Sequence, residues 1–315
     1  MPITGFVKPL LRLLSRGRLS ILIYHRVLER TDPLFPSTVD AERFRWQMEL
    51  VNDYFNVLPL STAVKLLSTD QLPERSICIT FDDGYADNAE VALPILQELN
   101  LPATFFIATG FLDGGRMWND TVIETIRNVK MNFVDLTDMG LGRYDITTIA
   151  GKQACIDSII LKIKHLSQKE RQELADKLAE KFPADLPQNL MLCSDQVREL
   201  HAAGMEIGGH TVSHPILTTL NQDYAKEEIT KGKVILEKII GEDIKLFAYP
   251  NGKPETDYLS EHVELVRNSG FNAAVSTVAG ISDKYTDPYA LRRFTPWDNT
   301  PGKFFLRLVK NYVVS

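Results

Sequence analysis

The sequence predicts an α/β fold, an irregular (β/α)7-type barrel that carries a helical insertion. Three observations point there. Short apolar runs alternate with segments of helical periodicity along most of the 315 residues, the pattern of βαβ units in a parallel sheet. About seven such units recur, enough to close a barrel. One stretch, Gly110 to about Gln188, breaks the rhythm and reads as an insertion between two units.

The elements follow in order. Ser20–Tyr24 (SILIY) is the first strand. Asp40–Tyr54 has helical spacing, with Phe44, Met48 and Val51 on one face and Asp40 as N-cap. Ser76–Phe81 is the second strand, Asn88–Leu99 a helix and Pro102–Ala108 (PATFFIA) the third strand. Inside the insertion, helical patterns cover Thr121–Val129, Gln153–His165 and Gln168–Lys181. Beyond it come a helix near Ser194–Ala203, a strand Met205–Gly208 and a long helix Asp223–Ile240. A strand Lys245–Tyr249, a helix Thr256–Ser269 and a strand Phe271–Val275 complete the pattern. The domain reading is an N-terminal segment 1–19 and a barrel 20–315 interrupted over about 110–188.

Composition narrows the function classes. With 44% hydrophobic and 24% charged residues the chain has an ordinary globular profile. A net charge of −6 argues against a nucleic-acid partner. Three cysteines without CxxC spacing make neither a zinc cluster nor a disulfide framework, and Cys78 reads as a small core residue. There is no apolar run long enough to span a bilayer. The N-terminal MPITGFVKPLLRLLSRGRLS is broken by Lys8, Arg12, Arg16 and Arg18, so it is not a secretory signal. Its Phe6, Leu10, Leu13 and Leu14 give an amphipathic helix that packs on the fold or touches a membrane surface. The default compartment is the cytoplasm, with peripheral membrane association as the variant.

Two stretches carry chemistry. Ile79–Tyr85 reads ITFDDGY: a strand ends in two adjacent carboxylates and a glycine. Asp-Gly is ordinary turn chemistry. Yet neighbouring carboxylates repel, and a cation that holds one down removes the conflict. The second stretch is Gly208–Pro215, GGHTVSHP, where His210 and His214 are four apart, the spacing of one face of a helical turn. Two imidazoles and a carboxylate make a common hydrolytic metal site. No phosphate loop and no serine-hydrolase GxSxG accompany them.

TFDDG followed downstream by HTVSH, with a third stretch FAYPNG at Phe247–Gly252, resembles the polysaccharide deacetylases, the NodB-homology domain of family 4 carbohydrate esterases. The resemblance spans about Ser20 to Phe294 apart from the insertion. It implies Asp83, His210 and His214 as ligands of one divalent ion (zinc, with cobalt, nickel or iron as alternatives) and Asp82 as general base. It implies the backbone N–H of Asn251 as oxyanion donor, with Tyr249 and Pro250 beside the substrate. Two features depart from the family pattern. The third motif lacks its opening arginine, and Arg293 in ALRRF fits that task better than Arg292. No histidine follows His262, so the general acid is sought at His25, in the YH pair that ends the first strand. The chain thus resembles a circularly permuted branch that includes the poly-N-acetylglucosamine deacetylases. Trp118 and Trp297 are candidates for stacking on sugar rings. The expected substrate is an N-acetylated glycan. The alternatives are amide hydrolysis of a lipid-linked or small substrate and a non-catalytic carbohydrate-binding protein.

Overall fold

The computed structural model describes residues 4–313, with side chains from residue 8 onward. Met1–Ile3 and the Phe6 side chain of the predicted amphipathic segment lie outside the described residues.

Seven strands form the barrel: β1 (Arg18–Tyr24), β2 (Ser76–Phe81), β3 (Thr104–Ile107), β4 (Glu206–Gly209), β5 (Leu246–Ala248), β6 (Ala273–Ala279) and β7 (Leu291–Arg293). They pair in parallel in chain order, with Tyr24 opposite Phe81, Phe81 opposite Phe105, Phe105 opposite Ile207, Gly209 opposite Phe247, and Ala248 opposite Val275. β6 and β7 pair at Val275 and Leu291. Phe294 then donates its N–H to Ile21 (2.7 Å) and accepts from Ile23 (3.1 Å), so the first and last strands meet. That closure is what lets a residue near one terminus serve a site completed from the other.

Alternation along the strands sorts side chains into two layers. Leu19, Ile21, Cys78, Phe106, Ala248, Val275 and Leu291 form one buried cluster. Leu22, Tyr24, Ile79, Phe81 and Phe105 form the other, against Phe44, Met48 and Val51 of the helix Ala41–Tyr54 and Ile229 and Leu236 of the helix Gln222–Ile240. Phe81 and Phe105 stack at 4.6 Å between centroids, a pairing that adds about 0.5–1.5 kcal/mol to burial. Asp82 continues the parity of Cys78, and Arg293 that of Leu291. Both therefore point to the barrel axis.

Asp40 caps its helix as expected, accepting from the Arg43 N–H at 2.9 Å. Three local expectations are corrected. The predicted helix Asn88–Leu99 opens with a wide π-turn, Asn88–Ala92, before the α-helix Leu93–Glu98. Pro94 has no N–H to give to the preceding turn, which favours the wider opening. The predicted helix Thr256–Ser269 begins only at Ser260, because Glu255 (φ +61°) and its bond to the Tyr258 carbonyl make a turn there. The insertion is not purely helical: Phe133–Leu136 and Gly142–Asp145 pair as an antiparallel hairpin. Val122, Ile126, Val134, Leu136, Ile159 and Leu178 bury together there, in a cluster separate from the barrel layers.

Candidate active site

The two acids at the end of β2 diverge because the backbone turns between them. Asp83 has φ +76° and Gly84 φ +88°. A Cβ on Gly84 would also lie 3.0 Å from Ile107, so glycine is needed at that turn. Each carboxylate meets its own counter-charge.

Asp82 faces Arg293. The guanidinium donates through both terminal nitrogens, Nη1 to Oδ1 and Nη2 to Oδ2, each at 2.7 Å. Its Nε donates to the Ser276 carbonyl at 2.7 Å, which fixes the plane of the fork. Both residues are buried. Burial pushes the Asp82 carboxyl up, but the charges of Arg293 and then His210 outweigh it and hold the group below its ordinary range.

Asp83 faces the two histidines. Its Oδ1 lies 3.4 Å from the Nε2 atoms of both His210 and His214. At that distance the oxygen is buried yet without a hydrogen-bond partner among the described residues. An orphaned buried carboxylate oxygen equidistant from two imidazole nitrogens is the donor set a divalent cation satisfies. The three ligand atoms lie within 4.8 Å of one another. His210 Nδ1 is 2.7 Å from the Ala248 carbonyl at the end of β5. Donation there puts the ring proton on Nδ1 and leaves Nε2 aimed at the cluster. Burial lowers His214 to about 4 despite Asp83 beside it, so it is neutral at pH 7, the form that binds metal. Burial also pushes His210 down, but Asp83 and Asp82 prevail and raise it. Asp83 is held well below the carboxylate range, since the histidines overcome its burial.

The histidine pair does not sit on a helical turn, as the spacing predicts. Residues 210–214 form a loop in which Thr211 (φ +65°) and His214 (φ +52°) take left-handed conformations. Glu228, on the helix Gln222–Ile240, holds this loop. Its carboxylate accepts from the Val212 N–H (2.9 Å), the Ser213 N–H (2.8 Å) and the Ser213 hydroxyl (2.6 Å). Gly232, one turn on, lets the helix approach: a Cβ there would come within 2.8 Å of the Thr211 carbonyl.

A cavity of about 410 Å³ opens beside Asp83, lined also by His25, Tyr85, Asn119 and Trp297. His25 is exposed in it. Asn88 Nδ2 holds the His25 carbonyl at 2.8 Å, and Asp87 takes the N–H of Val27 (3.0 Å) and Nε of Arg26 (2.8 Å). The strand end that carries His25 is therefore pinned. Trp297 is 63% exposed at the cavity mouth, with Arg307 against its ring at 4.7 Å.

The structure thus brings Asp82, Asp83, His210, His214 and Arg293 together, and sets His25 and Trp297 on the adjoining cavity. Asn251 (φ +60°) lies on the loop after β5, its carbonyl held by the Thr277 hydroxyl at 2.6 Å. Two expectations change. Tyr249 is fully buried and stacked on Tyr258 at 3.8 Å, so its ring packs the barrel wall instead of facing substrate. Pro250 is buried as well. Trp118 does not line the cavity beside Asp83; it lines a separate one and carries the Arg171 guanidinium at 4.9 Å. Sequence reasoning missed Tyr85, Asn119 and Glu228. Tyr85 follows the DDG turn directly and was findable; Glu228 lies in a charged helix and reads as a solvated residue.

Residues 69–274 match the family described as polysaccharide deacetylase. The chain belongs to that family. Family membership supports a hydrolase that deacetylates polysaccharide. A putative polysaccharide deacetylase of Bacillus subtilis, YxkH, is 20% identical over 289 residues, covering 92% of this chain and 75% of the relative. Among solved structures, the Streptococcus pyogenes deacetylase PplD in complex with acetate is similar, with TM-score 0.62 and 21% identity over 92% of this chain and 97% of that one. So is IcaB from Ammonifex degensii, with TM-score 0.62 and 18% identity over 94% and 97%. At these identities the two solved structures share the fold, a barrel closed between its first and last strands here.

Proposed function

We propose that the protein is a metal-dependent hydrolase that removes N-acetyl groups from amino sugars of a bacterial polysaccharide or its precursor. The observation that carries the reading is the unpartnered Asp83 Oδ1, equidistant from His210 and His214 and beside the Asp82–Arg293 pair. Asp83, His210 and His214 hold the ion. When bound, a divalent ion supplies Lewis acidity and brings the pKa of a water to about 7. Asp82, kept ionised by Arg293, accepts the proton of the attacking water, a contribution of roughly 10²–10⁴-fold. The Asn251 N–H is the donor for the oxyanion. His25, at the cavity mouth, delivers a proton to the departing amine. Trp297 offers a ring face to the sugar. The donor set suits zinc first, and cobalt, nickel or iron also by ligand type.

The test is acetate release. Protein stripped with chelator is incubated with N-acetylglucosamine oligomers, with and without added zinc, cobalt or nickel. Acetate restored by metal supports the reading. No acetate with any metal, although metal binds, removes these oligomers as substrates. Failure to bind metal favours a non-catalytic carbohydrate-binding protein.

One further feature favours peripheral membrane contact. In the helix Thr4–Leu14, Leu10 and Leu13 are 56% and 74% exposed, beside Lys8, Arg12 and Arg16. Arg12 is partly neutralised by Glu74. The helix precedes the N-terminal end of β1, and Ser15 just after it accepts from the Arg75 N–H at the start of β2. A bilayer contact there leaves the catalytic cavity, at the opposite strand ends, facing away from the lipid. Among the described residues no helix is long and apolar enough to cross a membrane. Sedimentation with anionic vesicles, lost in the Leu10→Ser, Leu13→Ser double variant, checks this.

A further inference from the structure

A second cavity, of about 540 Å³, lies between the insertion and the barrel. From the insertion come Phe111, Trp118, Gln168 and Arg171; from the barrel side come Ser213 and Tyr224. Ser213 adjoins the metal-ligand candidate His214. The two cavities therefore flank one cluster, with Asp83 lining the first and Ser213 the second.

Arg171 is the anomaly. Its residue surface is 5% exposed. Nη1 reaches the Lys164 carbonyl at 3.3 Å, a marginal bond. Nε is buried and has no partner. Among the described residues no carboxylate lies within ion-pair distance of it. The face of the guanidinium is on Trp118. A buried cation without an anion is expensive, and proteins normally pair it. Arg26, in the first cavity, shows the ordinary solution, since Asp87 pairs with it at 2.8 Å. Burial accordingly depresses Arg171, with no neighbouring charge to offset it.

We propose that this second cavity is a subsite for an anionic sugar, a uronate unit of the glycan, whose carboxylate is drawn to Arg171 and whose ring lies against Tyr224. One guanidinium matches one carboxylate charge, whereas a phosphate dianion would need a second cation. Lys169, which also lines the cavity, is engaged by Glu173 at 3.9 Å. Tyr224 is 62% exposed and offers the free ring face that Trp118, covered by Arg171, does not. The substrate is then a mixed polymer, with a uronate in the second cavity while an N-acetylated unit meets Asp83. This takes its ligand class from the deacetylase reading, but its test needs no turnover.

The experiment is calorimetric titration of the intact protein, held in chelator, with two tetrasaccharides. One alternates N-acetylglucosamine with glucuronate; the other is N-acetylglucosamine alone. The acidic one should bind about tenfold tighter. That advantage should shrink as NaCl is raised from about 50 to about 500 mM. Arg171→Met should erase the difference while neutral binding persists, and Arg171→Lys should keep part of it. Equal affinity for the two in the native protein, or a preference that survives Arg171→Met, overturns the proposal. If Arg171→Met does not fold, the acid-to-neutral ratio and its salt dependence in the native protein decide. Selective binding, with no acetate released from the acidic tetrasaccharide once metal is restored, would sink the hydrolase reading and leave this one standing. Acetate release without selective binding would do the reverse.

Discussion

Arg293 grips Asp82 with both terminal nitrogens at 2.7 Å across 211 residues of chain. The pair is buried, and only strand closure brings it together. Removing the cation would leave burial as the dominant influence on Asp82. Its carboxyl then rises, so the acid limb of the kcat/KM profile moves to higher pH in Arg293→Met. The stranded charge also costs about 3–5 kcal/mol of stability. Arg293→Lys keeps the charge but loses the fork, and falls between. An unmoved acid limb in Arg293→Met would remove Arg293 from this role.

Base and ligand are separable. Asp82→Asn should abolish acetate release while stoichiometric metal stays bound. Asp83→Ala and His214→Ala should lose metal in equilibrium dialysis. Near-native turnover in Asp82→Asn, or full metal retention in Asp83→Ala, contradicts the assignment.

Glu228 acts on metal binding through the 210–214 loop. Glu228→Ala frees three donors and should weaken metal affinity by roughly 10–100-fold, as losses of supporting groups do. Glu228→Gln retains an acceptor for the backbone N–H groups and should recover much of it. Dye-competition titration reads this. Equal affinities in all three proteins would reduce Glu228 to a surface contact. Gly232→Ala, which drives a Cβ toward the Thr211 carbonyl, should weaken metal binding even though alanine favours helix.

Asp120 gives a pH signature. It accepts from the Tyr85 hydroxyl at 3.1 Å, and burial pushes its carboxyl up to about 7. Below about pH 4 both folded and unfolded states hold the proton. Between there and about 7 only the folded state keeps it, so stability falls as pH rises, by up to about 4 kcal/mol. Above that the loss is constant. Asp120→Asn keeps an acceptor for Tyr85 and should flatten the change in Tm between about pH 5 and pH 8. An equally steep change in the variant would show that other groups carry it.

Six of the seven strands were legible as short apolar-rich runs bounded by turn residues, which burial on both barrel faces favours; the seventh, Leu291–Arg293, carries two arginines and was not laid out as a strand. Asp40 as a cap, and Asp82 and Asp83 at a strand end, were legible for the same local reason. Arg293 and His25 could be nominated only through the family resemblance. Trp118 and Tyr249 show the limit: an aromatic residue suits a sugar face or a core equally well, and exposure separates the two. Glu228 carried no sequence signal, because its loop partners are 15 and 16 positions away.

By itself, then, the sequence determined the alternation of strands and helices, the break at the insertion and the residue types of a metal-hydrolase site. Those are local properties, written in periodicity and short motifs. The tertiary structure decided which carboxylate met Arg293 and which met the histidines, that left-handed backbone instead of a helical turn joins His210 to His214, and that Arg171 is buried without an anion. Each depends on groups distant in sequence being brought within a few ångströms, where electrostatics and desolvation act. No local pattern encodes that distance.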